Sequence, residues 1–157
     1  MRVIPSPSAL LDLVDQELGP SGWLDVSQDM IDRFAELTGD RQWIHIDPVR
    51  AAAEATGGVT IAHGFLTLSL MPPLQDQLYR IDKVDRILNY GSDRLRYVSP
   101  TPAGSRIRLL QKISGIDPLP NHGFRVFFHS TIEIEGSDRP ALVVDTIALI
   151  FEAVDAI

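Results

Sequence analysis

Up to about residue 80 the apolar positions recur with a helical period, and from Val84 onward they recur every second residue. Ser6-Pro7 followed by Leu10, Leu11, Val14 and Leu18 predicts a capped amphipathic helix that stops at Gly19-Pro20. Trp23 to Val26 predicts a short strand. Ser27 is placed to cap a second helix, on which Met30, Phe34 and Leu37 mark one face while Ile31 and Ala35 widen it. Gly39 ends that helix, and Asp47-Pro48 begins a short alanine-rich one closed by Gly57-Gly58. A long helix is expected from about Ala62 to about Tyr79, because Leu66, Leu70, Leu74 and Leu78 recur every fourth residue. Phe65, Leu68 and Met71 extend its apolar cover, which is the pattern of a buried helix. Pro72-Pro73 should kink it.

In the second half Leu95 and Tyr97 alternate with Arg94 and Arg96, and Ile107 and Leu109 with Arg106 and Arg108. Val126 and Phe128 alternate with Phe127 and His129, Ile132 and Ile134 with Glu133 and Glu135, and Leu142 to Phe151 is a long final strand. Turns are expected at Gly91-Ser92, Pro100 to Gly104, Asp117 to Gly123 and Gly136 to Pro140. Helices followed by consecutive strands describe an α+β domain, an antiparallel sheet with a buried helix on one face. With no repeat, linker or low-complexity stretch, residues 1–157 read as one domain.

Composition narrows the function. A hydrophobic content of 45% and a charged content of 22% are ordinary for a globular protein. Fourteen Lys and Arg against 21 Asp and Glu give a net charge of −7, which argues against nucleic acid or an anionic membrane as partner. The absence of cysteine excludes disulfides, thiolate catalysis and zinc–thiolate sites. Asp12 and Asp15 interrupt the only early apolar run, so no signal peptide is expected, and no apolar stretch is long enough to span a bilayer. A cytoplasmic address is the simplest expectation. The histidines are scattered and no glycine-rich phosphate loop occurs, so neither a metal nor a dinucleotide is expected.

Candidate chemistry centres on Thr38 to Pro48, where Asp40 and His45 lie five positions apart on a linker pinned between two helices. If that linker folds back, a carboxylate and an imidazole can hold one water between them. Such a pair suits adding water to a polarised double bond, or removing it. The second stretch, Thr60 to Leu66, reads as a tight entry into the apolar helix. Free N–H groups at a helix start stabilise a developing enolate oxygen, and Gly64 lets a thioester approach closely. Locally, plainer readings stay open. Asp40 can cap a turn, His45 can be a half-buried structural residue, Gly64 can serve close packing, and His63 fixes the turn more naturally than it enters chemistry.

Gly39 to Pro48, followed by Ala62-His63-Gly64-Phe65-Leu66-Thr67, resembles the hydratase motif of the MaoC-like dehydratases, which include the (R)-specific enoyl-CoA hydratases. The resemblance is nearest to the NodN-like branch with its mycobacterial 3-hydroxyacyl-thioester dehydratases. It extends through Asn89-Tyr90-Gly91 and Arg96 to Gly104, and so covers nearly the whole chain. It implies a hot-dog fold, a long central helix wrapped by an antiparallel sheet, with a site near the interface of a homodimer. It implies reversible hydration of a trans-2-enoyl-CoA thioester, with coenzyme A as part of the substrate and no separate cofactor. Asp40 and His45 fall on the family's catalytic acid and histidine, and Gly64 on its carbonyl-polarising amide. Gln42, His63 and Asn89 are further candidates for substrate contact. Two departures stand out. Gln42-Trp43 replaces the Asn-Pro of many hydratases, Trp43 being bulky enough to reshape an acyl tunnel, and Pro72 stands about where some carry a serine.

Seven of the basic residues, Arg80, Lys83, Arg86, Arg94, Arg96, Arg106 and Arg108, could meet the phosphates of coenzyme A. A solvated face of alternating strands is the plainer reading of them. His122 and His129 lack a nearby acid pattern. Two other classes compete with the hydratase: a hot-dog acyl-CoA thioesterase and a non-catalytic acyl-CoA-binding subunit.

Overall fold

The computed structural model describes residues 1–153. Its order is β1 (Arg2–Ile4), a 3₁₀ helix (Pro7–Leu13), β2 (Glu17–Leu18), β3 (Leu24–Asp25), α1 (Gln28–Thr38), α2 (Trp43–Ile46) and α3 (Pro48–Glu54). Then follow α4 (Gly64–Ser69), α5 (Met71–Leu78), β4 (Tyr79–Ile81), β5 (Val84–Tyr97), β6 (Arg106–Leu119), β7 (Gly123–Ile134) and β8 (Leu142–Glu152). The main sheet is antiparallel in the order β2-β6-β7-β8-β5, with β3 also pairing β6, while β1 and β4 form a parallel pair. Inward side chains Ile107, Leu109, Ile113, Val126, Phe128, Ile132, Leu142, Val144 and Ile150 share one apolar core with Leu66, Leu70, Met71, Leu74 and Leu78. The period-two readings of Leu109, Val126, Phe128, Ile132 and Ile134 are met by burial, since alternate residues face the core. No helix among the described residues is long and apolar enough to cross a membrane.

The expected long helix is two. α4 ends at Ser69, Leu70 adopts φ −83° and ψ −1°, and α5 restarts at Met71. Pro72 and Pro73 cannot donate to the carbonyls of Leu68 and Ser69, so the ladder breaks there. The prolines then occupy a first turn, where missing donors cost nothing. Tyr79, expected at the helix end, begins β4 instead.

Three other expectations change. The first predicted helix is a 3₁₀ turn with Pro7, Leu10 and Leu13 buried, a spacing of three that matches its three residues per turn, and Leu18 belongs to β2. Gly91-Ser92 is no turn: β5 runs through it, absorbing the irregularity as a register shift between Asn89 and Gly91. The β6–β7 ladder continues to Leu119 paired with Gly123, so the turn is confined to residues 120–122, where Asn121 and His122 take the left-handed conformation.

Ser6 makes no side-chain capping bond and α3 closes at Ala55 rather than at Gly57-Gly58, but three other caps lie where the sequence puts them. Ser27 Oγ accepts from Met30 N–H at 3.3 Å, Gly39 closes α1 at φ 79°, and Asp47 Oδ1 accepts from Arg50 N–H at 2.9 Å with Pro48 opening α3. The core side of α1 is nevertheless rotated from the predicted stripe. Ile31 and Ala35 are buried, whereas Leu37 is 84% exposed. Substituting Ile31 by Ala should cost about 2–5 kcal/mol and Leu37 by Ser no more than about 0.5 kcal/mol. Chemical denaturation midpoints at constant slope check this, and equal losses would contradict the burial. On the outer sheet face, Asp145 accepts from His129 Nδ1 at 2.7 Å and pairs with Arg94. Burial pushes the Asp145 carboxyl up, but the bonds and charges of His129 and Arg94 outweigh that and hold it below its ordinary value. Its contribution to stability is therefore present above the ordinary carboxylate pKa of about 3.9 and lost as pH falls through the lowered value. Asp145→Asn should lower stability at neutral pH and flatten the acid limb of the stability–pH curve, as read by thermal melts from pH 7 downward.

Candidate active site

The linker after α1 does fold back, and a strand-like crossing holds it in place. The Gly39 cap turns the chain into residues 40–42, and His45 N–H donates to the Gln42 carbonyl at 2.9 Å to start α2. The segment leading into α4 runs against both α2 and the loop after β5. Ile61 N–H donates to Ile44 O at 2.9 Å, Ala62 N–H to Thr101 O at 2.8 Å, and Ala103 N–H to Thr60 O at 2.9 Å. A side-chain chain braces the same contact: Thr60 hydroxyl donates to Gln28 Oε1, and Gln28 Nε2 donates to the His45 carbonyl at 2.7 Å. Buried backbone groups need such partners, and here they come from three separate stretches.

His45 is 6% exposed, and its Nδ1 lies 2.7 Å from the Ile61 carbonyl oxygen. A carbonyl only accepts, so Nδ1 carries the hydrogen and Nε2 is left for chemistry. His63 is also buried. Its Nε2 lies 2.9 Å from the main-chain oxygen of Asp40, and its ring stacks on that of His45 with centroids 3.8 Å apart. Donor atoms of Asp40, His45 and His63 lie within 4.8 Å of one another, with the Asp40 residue exposed to solvent. These are the three groups that could hold a metal. The sequence contains no metal motif, and two face-stacked imidazoles do not aim their in-plane nitrogens at one ion held about 2 Å from each. The same proximity lets Asp40 and His45 hold a water between them.

His45 and Gly64 line one cavity of about 380 Å³ together with Ala62, Phe65, Thr67, Tyr97 and Thr101. Gly64 is the first residue of α4, with no hydrogen-bond acceptor for its N–H among the described residues. A helix-start N–H facing a cavity is a ready donor to a substrate carbonyl. Glycine is required here by space. A Cβ would come within 2.9 Å of the Tyr97 ring, which lies over it. Tyr97, the last residue of β5, is half-exposed, and burial raises its hydroxyl pKa. No role had been read for Tyr97, Thr67 or Thr101. Tyr97 and Thr101 lie in the Arg96 to Gly104 stretch that carries the family resemblance, which was the available signal. Thr67 closes the Ala62 to Thr67 stretch that carries the same resemblance.

Asp40 is not among the residues lining this cavity; it stands behind His45, on the side of His63. The remaining candidates do not reach the cavity either. Gln42 is an exposed residue preceding α2 whose side chain makes no capping bond, and its carbonyl rather than its amide is used. Asn89 is exposed on β5 opposite Ala148, at the register shift. His63 faces inward, its Nε2 spent on Asp40 and its Nδ1 buried with no partner among the described residues. Trp43 lies under the Arg50 guanidinium, 4.3 Å from its ring centre, so its bulk is placed against α3 rather than among the residues lining the cavity. The basic residues do not converge either. Arg80 pairs with Asp82, Arg86 with Asp85, Arg94 with Asp145, Arg106 with Glu135 and Arg108 with Glu133. Cross-strand and neighbouring pairing of this kind belongs to a solvated face.

Comparison with known proteins identifies the family and the fold. The MaoC like domain matches residues 11–122. The chain is 42% identical over 147 residues to the 3-hydroxyacyl-thioester dehydratase Z of Mycobacterium tuberculosis, covering 94% of this chain and 97% of that protein. It is 43% identical over 138 residues to Nodulation protein N of Rhizobium leguminosarum bv. viciae, covering 87% and 86%. The solved MaoC-like dehydratase from Rhodospirillum rubrum superposes with a TM-score of 0.74 at 21% identity, over 92% of this chain and 97% of that one, in keeping with the hot-dog fold. The chain belongs to the family of MaoC-like dehydratases, and it is a hydro-lyase.

Proposed function

We propose that the protein catalyses the reversible hydration of a trans-2-enoyl-CoA to the (R)-3-hydroxyacyl-CoA, with Asp40 and His45 as its catalytic pair. The observation that carries this reading is the meeting of three groups. The Asp40 carboxylate and a His45 ring nitrogen lie within 4.8 Å of each other, and His45 shares a cavity wall with the Gly64 N–H. The thioester carbonyl accepts from Gly64 N–H, which stabilises the enolate that forms as C3 is attacked. One water sits between Asp40 and His45. As its oxygen bonds to C3, its proton passes to one member of the pair, and C2 takes a proton from the other. Asp40 as carboxylate is suited to the first task, and His45, entering the step with a second proton on Nε2 and leaving it neutral, to the second. Because His45 Nδ1 is committed to Ile61, only Nε2 can move that proton. Return of the proton across the pair resets the site, and dehydration follows the same path backward. Coenzyme A enters as part of the substrate, and no separate cofactor takes part.

We also propose that the working form is a homodimer built on β5. This fourteen-residue strand is hydrogen-bonded on one side to β8 and ends the sheet on the other. Ile87, Leu88, Tyr90 and Tyr97 along it are each more than 40% exposed, as is Phe65 at the cavity mouth. A long apolar edge is a site for pairing with another chain.

Purified protein mixed with crotonyl-CoA should show loss of the conjugated enoyl absorbance with no thiol released to a thiol-trapping dye. Thiol release instead would indicate a thioesterase. Asp40→Asn and His45→Ala should each reduce kcat by about 10²–10⁴-fold, the usual contribution of a positioned acid or base. Gly64→Ala should act through both the Tyr97 clash and the blocked amide, with a loss of similar order to removing one oxyanion donor, about 10²-fold or more. Substrate binding without turnover, altered in affinity by the same variants, would favour a binding subunit. Light scattering should give twice the chain mass of 17.4 kDa, and Leu88→Lys should shift it toward the monomer.

A further inference from the structure

We infer that His63 is a positioning residue for the Asp40–His45 pair, acting through the linker backbone and the stacked ring rather than on the substrate. Its kinetic consequence rests on the hydration reading above; its structural consequence does not.

The ring of His63 is 3% exposed and is absent from the cavity wall formed by its neighbours Ala62 and Gly64. Its Nε2 lies 2.9 Å from the main-chain oxygen of Asp40, twenty-three residues upstream. That oxygen can only accept, so Nε2 carries the hydrogen and Nδ1 holds a lone pair. Nδ1 is buried without a partner among the described residues. One face of the ring system meets His45 at 3.8 Å and 25°, and Phe34 of α1 approaches at 5.0 Å and 52°.

A residue that merely fixed its own turn would bond within that turn, and α4 has no side-chain cap from His63. Among the described residues the one bond its ring makes reaches instead to the carbonyl of the proposed acid, while its ring stacks on the proposed imidazole. An apolar ring would fill the same space without leaving a buried nitrogen unpaired, which is a costly feature. What histidine adds is the Nε2–H directed at Asp40. Asp40 has little else to hold it: its N–H lies 3.4 Å from Thr38 Oγ1, and its side chain has no hydrogen-bond partner among the described residues. Misplacement of a reacting group by about 1 Å is enough to cost a large factor in rate.

The test compares wild type with His63→Phe, which keeps the stack and loses the donor, and His63→Gln, whose longer amide keeps a donor near the Nε2 position. Two readouts are taken: kcat and KM with crotonyl-CoA, and hydrogen–deuterium exchange of the peptide spanning residues 39–47. His63→Phe should lose roughly 100-fold in kcat with KM changed by no more than about twofold, and His63→Gln should regain about tenfold of that loss. Linker exchange should rise in His63→Phe and stay near wild type in His63→Gln. Wild-type kcat in His63→Phe, a raised KM at unchanged kcat, or unchanged linker exchange would each overturn the inference, the second by making His63 a substrate contact. If His63→Phe does not fold, His63→Asn replaces it, because its shorter amide falls short of Asp40 and should show the same losses. If wild type turns over no enoyl-CoA, the hydration reading falls and the exchange measurement alone decides the role of His63.

Discussion

One bond, from His45 Nδ1–H to the Ile61 carbonyl at 2.7 Å, joins the two halves of this site. It ties the linker that follows α1 to the segment that leads into α4, and it fixes which ring nitrogen is free. Neither segment has regular structure long enough to hold itself. Their backbone groups are satisfied largely by each other, by Thr101 and Ala103 of the loop after β5, and by side chains such as Gln28 and His63. In a buried setting an unpaired polar group is expensive, so the set of partners is mutually enforcing. The geometry of the candidate site is a by-product of satisfying that backbone.

The prolines after Leu70 matter for the same site. By ending α4 after six residues they make the segment that carries Gly64 a short element with its own start and end. Core burial of Leu66 on α4 and of Met71, Leu74 and Leu78 on α5 keeps both pieces against the sheet. The start of α4, with Gly64, is thereby held at the cavity wall. The ring of Tyr97 closes over Gly64, so the sheet edge itself forms part of the wall. Strand β5 thus serves two ends: it supplies a wall residue from its last position and leaves an unpaired edge that carries the exposed side chains of Ile87, Leu88 and Tyr90.

The outer face of the sheet tells a different story from the inner. Its arginines are spent on acids across the strands or beside them, and its aromatic residues lie under guanidinium groups, as Arg108 over Trp23 and Arg86 over Phe151. These contacts are modest in energy because water competes with them. They do, however, account for basic residues that composition alone offers as a phosphate site.

Local chemistry was enough for much of this protein. The caps at Ser27, Gly39 and Asp47-Pro48 depend on neighbours within four residues, and the strand alternation depends on which face is apolar, so both could be read from the chain. The Asp40–His45 spacing and Gly64 at a helix start were likewise visible in a family motif. What local reading could not supply were contacts set by distant partners. Leu37 lies on the predicted stripe, yet packing of α1 centres the buried side on Ile31 and Ala35, which were expected only to widen it, and leaves Leu37 in solvent. Gly91 resembles a turn, but pairing with β8 carries the strand through it. His63 looks like a residue of its own turn, and only the folded chain brings the Asp40 carbonyl to its Nε2. Sequence determines what each short stretch can satisfy by itself; the tertiary structure decides which distant group satisfies the rest.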